Sequence, residues 1–130
     1  MYNLFCEMWM QELASLWNNN QLEKINNTNM NIGYGFIGSE LPLGVLIISD
    51  SKATTELYVG QNLDLDVRAD IMDWQNWLTS EFTLSQLGML IVHNRLQFNG
   101  NNSQKILKIP SFATIFFHSF KLMNKIPTKF

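Results

Sequence analysis

The chain has 130 residues, of which 46% are hydrophobic, 12% aromatic and only 15% charged, with a formal net charge of −2. This length and apolar content predict one domain over residues 1–130 with a real core, and exclude an intrinsically disordered chain. The lone Cys6 excludes an internal disulfide and a multi-cysteine zinc site, and the absence of a global basic excess argues against nucleic-acid binding.

Residues 2–17 carry Phe5, Trp9, Leu13, Leu16 and Trp17 mostly at intervals of three and four, the period of a helix with one buried face. Asn18-Asn19-Asn20 ends it, and residues 21–31 read as a polar connector. From Ile32 the period changes to two. Ile32, Tyr34 and Phe36 alternate with Gly33 and Gly35, which predicts a strand whose glycines leave room for a close neighbour or a cavity. Gly38 to Gly44, with Pro42, is turn chemistry. Val45 to Ile48 form a second strand, Asp50-Ser51-Lys52 a turn, and Thr55, Leu57 and Val59 a third strand closed by Gly60. Leu63, Leu65 and Val67 alternate with Asp64, Asp66 and Arg68, a fourth strand with one wet face.

Asp70 or Asp73 is placed to cap a short helix bearing Trp74, Trp77 and Leu78. Thr83-x-x-Gln86 is a capping box ahead of an apolar helix with Leu84, Leu87, Leu90 and Ile91. Arg95 to Asn99 predicts a fifth strand with Leu96 and Phe98 on one face, followed by the turn pair Asn99-Gly100. Residues 103–109 form a short helix with Ile106 and Leu107, stopped by Pro110. Residues 111–123 form a helix with Phe112, Phe116, Phe120 and Met123 on one stripe. The order predicts α+β: a five-stranded mixed, mostly antiparallel sheet with helices packed on one face.

Chemistry-bearing motifs are scarce. No phosphate-binding glycine loop, nucleophile elbow or His-Glu-x-x-His occurs, and His93 and His118 stand apart without a nucleophile or orienting partner. Asp64, Asp66, Asp70 and Asp73 fail the EF-hand pattern, because Ala69 and Gln75 fill the places of its glycine and glutamate. No enzyme activity, metal or cofactor is expected. The N-terminal stretch lacks a basic region, Glu7 interrupts its apolar run, and no run is long enough to span a bilayer. A cytoplasmic protein is the expectation.

The segment from Leu63 to Ile109 resembles the sterol carrier protein family. The residues that carry the likeness are Leu65-Asp66-Val67-Arg68-Ala69-Asp70, then Asp73-Trp74 with Trp77-Leu78-Thr79, then Ser85-Gln86-Leu87. Asn94-Arg95-Leu96-Gln97-Phe98-Asn99-Gly100-Asn101 resembles the family's strand motif, with Asn94 where glycine is preferred, and Ile106 and Leu107 fall in the closing helix. The resemblance implies a non-enzymatic fold holding a fatty acyl, sterol-like or isoprenoid ligand in an apolar tunnel between sheet and helices. Its lining would be Trp74, Trp77, Leu78, Leu87, Leu90, Ile91, Leu96, Phe98, Ile106 and Leu107. The same stripes also describe ordinary core packing. The resemblance also implies an alternative, the same fold with a filled core as an interaction or accessory module that assists an enzyme of lipid or quinone metabolism.

Charge is unevenly divided. Up to Asn94 there are 11 acids and 3 bases; from Arg95 onward there are 6 bases and no acid. Lys121, Lys125 and Lys129 are spaced i, i+4, i+8 with apolar residues between them, a pattern open to two readings. One is peripheral contact with an anionic membrane, and the other is a solvated tail.

Overall fold

The computed structural model describes residues 1–20, 29–50, 52–81, 83–109 and 112–130. Most of the polar connector, Ser51 of the expected turn and the stop at Pro110 lie outside the described residues. In chain order the elements are β1 (Tyr2–Asn3), α1 (Glu7–Asn19), β2 (Met30–Phe36), β3 (Gly44–Ser49), β4 (Lys52–Leu57) and β5 (Leu65–Ala69). They continue with α2 (Ile71–Thr79), α3 (Leu84–Val92), β6 (Gln97–Asn99), α4 (Ser103–Leu107), α5 (Phe112–Met123) and β7 (Thr128–Lys129).

The main sheet has five strands in the order β4-β3-β2-β5-β6. Only β2 and β5 run parallel, with Ile32 opposite Leu65 and Tyr34 opposite Val67; the other three pairings are antiparallel. The sheet is therefore mixed and mostly antiparallel, as the sequence predicts. Alternation explains its inner face. Ile32 and Tyr34 of β2, Leu46 and Ile48 of β3, and Leu65, Val67 and Ala69 of β5 join one buried cluster with the helices.

The expected first helix begins later than residue 2. Tyr2–Asn3 instead pairs in parallel with Thr128–Lys129, a two-stranded ribbon that joins the two ends. Two residues are too few to show a period, so alternation could not reveal it. Phe5 then takes a left-handed backbone (φ 61°) and turns the chain into α1 while its ring is fully buried. That conformation costs a bulky residue free energy, and burial of the ring offsets it. The ring stacks on Tyr34 at 5.4 Å and meets Trp9 and Trp74 edge-on at 5.2 and 5.0 Å.

The outer face of β5 is drier than its alternation suggested. Arg68 is only 8% exposed. It lies flat on the sheet, donating Nε and Nη2 to both oxygens of Asp66 at 2.6 and 3.0 Å, and Nη1 to the carbonyls of Phe36 and Ser39. The β2 glycines make this possible. A Cβ at Gly35 would sit 3.1 Å from Pro42 Cα and 3.3 Å from Arg68 Nε, and one at Gly33 would sit 2.5 Å from Leu63 Cδ1. The room left by the glycines is thus filled by close neighbours. Arg68 needs this full set of acceptors, because an uncompensated buried charge is strongly destabilising.

Two buried polar atoms lack a hydrogen-bond partner among the described residues: Trp17 Nε1 and the Tyr34 hydroxyl. Burial alone pushes the Tyr34 phenol well above its ordinary range. An unpartnered buried hydroxyl costs about 1–3 kcal/mol, so Tyr34→Phe is expected to hold or raise stability by about 1 kcal/mol. The pH dependence has a definite sign. Below about pH 10 the phenol is protonated in both folded and unfolded chains. At higher pH the unfolded chain ionises first, so stability falls as pH rises. Urea unfolding at pH 8 and pH 11 checks both points. The alkaline loss should shrink in Tyr34→Phe, and an equal loss in both proteins would contradict the assignment.

Candidate functional site: the clefts around an uncovered apolar helix

α2 follows β5 directly. Asp70 occupies its N-cap position without a side-chain cap bond, and Asp73 lies in its first turn. Asp73 instead pairs with Arg95, Oδ1 to Nη2 at 2.5 Å, which ties α2 to the chain entering β6. The bond to Asp73, then its charge, raises the Arg95 guanidinium further above its ordinary range.

The predicted site residues of α2 are buried. Trp74 is fully enclosed; its indole N–H donates to the Gly35 carbonyl at 3.0 Å, and its ring stacks on Phe120 at 5.8 Å. Trp77 packs edge-on against Trp74 and Phe120 at 5.5 and 6.2 Å. The chain of rings continues through Phe116, Phe98 and Phe112. Leu78, Leu87, Leu96 and Ile106 are buried in the same cluster. The structure therefore brings these predicted residues together in a packed aromatic core.

α3 departs from this pattern. The predicted capping box is present: Gln86 N–H donates to Thr83 Oγ1 at 3.2 Å, and Thr83 N–H donates to Gln86 Oε1 at 2.7 Å. The other end closes by a Schellman motif. Asn94 adopts φ 60°, Asn94 N–H reaches the Ile91 carbonyl at 3.1 Å, and Arg95 N–H reaches Leu90 at 2.9 Å. Glycine and asparagine are the residues that most readily take this conformation, which explains Asn94 at a position where glycine is otherwise preferred. The helix is closed at both ends but poorly covered. Six of its nine residues are large and apolar, yet only Leu87 is buried. Leu84, Met89 and Val92 are exposed, and Leu90 and Ile91 are half-buried.

Among the described residues, three clefts border this helix. One of about 610 Å³ lies between its N-terminal end and α5, lined by Glu81, Thr83, Leu84, Phe117, Lys121, Asn124 and Lys125. A second, of about 410 Å³, runs along the α2 side and includes Trp77, Met89, Leu90, His93 and Arg95. The third, of about 300 Å³, lies toward β6 and α4 and includes Ile91, Leu96, Phe98 and Leu107. Of the predicted lining, Trp77, Leu90, Ile91, Leu96, Phe98 and Leu107 border these clefts, whereas Trp74, Leu78, Leu87 and Ile106 border none of the three.

The first cleft was not legible beyond Lys121 and Lys125. Its available signal was the i, i+4 pair Phe117 and Lys121, which lies off the Phe112–Phe116–Phe120 stripe; Lys121 Nζ sits 4.9 Å over the Phe117 ring. The three lysines do not share a helix face. α5 ends at Met123, Lys125 lies in the turn that follows, and Lys129 belongs to β7, opposite Asn3. The i, i+4, i+8 spacing therefore makes no helical stripe, because the backbone leaves the helix before the second lysine.

Among the described residues no group of three or more His, Cys, Asp or Glu could hold a metal ion, and no helix is long and apolar enough to cross a membrane. No protein-family model and no curated protein matches the sequence. Solved structures do match its fold. A crystal structure of sterol carrier protein 2 superposes with a TM-score of 0.70 at 16% identity, covering 95% of this chain and 99% of that one. The solution structure of a conserved Thermus thermophilus protein, described as possibly a sterol carrier protein, gives 0.65 at 16% identity over 98% and 92%. A structure named UbiJ-SCP2, a ubiquinone synthesis protein, gives 0.52 at 16% identity over 85% and 91%. The α+β chain described above has the sterol carrier protein fold.

Proposed function

We propose that this chain is a non-enzymatic lipid-binding or carrier protein that holds an apolar ligand, fatty acyl, sterol-like or isoprenoid, against α3. The observation that carries the reading is the helix itself. A segment with six large apolar residues and one of them buried has spare binding surface, and the clefts of about 410 and 300 Å³ along it take Trp77, Leu90, Ile91, Leu96, Phe98 and Leu107 into their walls. These volumes fall in the range of small-molecule sites, whose walls are mostly apolar. Each ligand methylene moved from water onto such a wall contributes about 0.8 kcal/mol. Trp77, Leu90, Ile91, Leu96, Phe98 and Leu107 would make the apolar wall. The other predicted residues, Trp74, Leu78, Leu87 and Ile106, would support it from the core. No cofactor is called for. A cytoplasmic location is consistent with the lone Cys6.

A second reading draws on the packed aromatic core and the exposed α3. In it the domain is an accessory module whose apolar helix meets an enzyme of lipid or quinone metabolism. The neighbour named as a ubiquinone synthesis protein gives that reading its interest.

Two measurements separate them. Mass spectrometry of the purified, denatured protein is expected to find co-purified lipid, and titration with a fluorescent fatty acid is expected to saturate. Leu90→Ala should weaken uptake about tenfold, because one leucine side chain contributes about 1.5–3 kcal/mol on burial. Absence of lipid together with non-saturating uptake would overturn the carrier reading and favour the accessory one.

A further inference from the structure

The exposed side of α3 has a composition that selects among partners. The helix carries no charged residue, and its exposed large side chains are Val92 (77%), Met89 (56%) and Leu84 (47%), with the uncharged Ser85 and Gln86 exposed beside them. Gly88 adds to the flatness of this face, since a Cβ there would meet nothing within 4 Å. The large exposed side chains are thus unbranched or branched chains without a ring or a charge. A protein partner is usually gripped by tryptophan, tyrosine or arginine, and this face offers none of them on α3. Ring-free apolar side chains suit acyl chains.

The surroundings are basic. Lys121 and Lys125 share the first cleft with Leu84, and Lys121 is steadied over Phe117. α4, whose Leu107 shares the third cleft with Ile91, carries the exposed Lys105 and is followed by the exposed Lys108. The acids on this side are Glu81, which lines the first two clefts, and Asp73 and Asp70, of which Asp73 is paired with Arg95 and Asp70 lies near enough to act on the same guanidinium. The local balance is positive although the whole chain is at −2. Long lysine stems can lie along an apolar surface while their ammonium groups reach a charged layer.

We propose that α3 seats its apolar face at the headgroup–acyl boundary of an anionic lipid bilayer, with Lys121 and Lys125 meeting the lipid phosphates. Interfacial helices combine an apolar face with basic flanks in this way, and the attraction of the lysines to an anionic surface fades within a Debye length. The partner is a surface, separate from any ligand in the clefts. Vesicle binding and fatty-acid uptake therefore report independently, and either can fail alone.

The test is cosedimentation with phosphatidylcholine vesicles and with vesicles containing about one third phosphatidylserine. Binding is expected to favour the anionic vesicles and to weaken as salt rises. Met89→Asp with Val92→Asp, and separately Lys121→Glu with Lys125→Glu, should each lower it about tenfold or more. Leu41→Asp with Val59→Asp alters two exposed apolar residues elsewhere and should leave binding unchanged. Circular dichroism confirms that each variant is folded. Equal binding to both vesicle types, no binding, or an equal loss in the Leu41/Val59 variant would overturn the proposal. So would concentration-dependent dimerisation that the Met89/Val92 variant abolishes while vesicles are ignored.

Discussion

Trp74 donates its indole N–H to the Gly35 carbonyl at 3.0 Å, and its ring touches Phe5, Trp77 and Phe120. One side chain thereby joins the sheet, the chain leading into α1, and helices α2 and α5. An aromatic side chain buries about 150–250 Å². An indole N–H left unpaired in such a place would add a further cost of about 1–3 kcal/mol. The position of Gly35 supplies the acceptor, and the same glycine leaves space on the opposite face for Arg68. The helical and outer faces of the sheet therefore depend on one residue of β2.

A core so filled with rings has a consequence for α3. α1, α2 and α5 supply most of the helical side chains in the buried cluster, and α3 contributes Leu87 as its one buried residue. Each large apolar side chain left in water forgoes about 1.5–3 kcal/mol of burial. Three such residues on one nine-residue helix forgo an amount comparable with the ~5–15 kcal/mol net stability of a whole domain. The helix is nevertheless held by a capping box at one end and a Schellman motif at the other. Its ends are fixed and its faces are free, which suits an element that covers a ligand or meets a lipid surface.

Much of this was legible in the chain, and the reasons are specific. The strands β2 and β5 announced themselves because their inner residues alternate, β3 showed as an apolar run, and the capping box placed the start of α3 correctly at Leu84; β4 instead spans Lys52–Leu57, so the strand expected through Val59 begins and ends earlier, with Ala53 turned inward and Leu57 and Val59 exposed. The β1–β7 ribbon was not legible, since a two-residue strand has no period. Arg68 read as solvent-facing because alternation reports a face and cannot report what lies across it; the carbonyls of Phe36 and Ser39 hold its guanidinium by tertiary contact, with Asp66 beside it on the strand. For the candidate site, periodicity located apolar residues but could not divide core from cleft. Trp74 and Trp77 share a helical stripe, yet only Trp77 borders a described cleft, because the Gly35 carbonyl draws Trp74 inward.

The central claim is that α3 is the uncovered element of an otherwise tightly packed domain and that a lipid covers it. Hydrogen–deuterium exchange of the lipid-free protein, with and without added oleate, addresses this directly. The account predicts that amides of Leu87 to Val92 exchange faster than those of α1 and α5, and become protected when oleate is present. Protection of α3 equal to that of α1 without lipid, and unchanged by oleate, would contradict it.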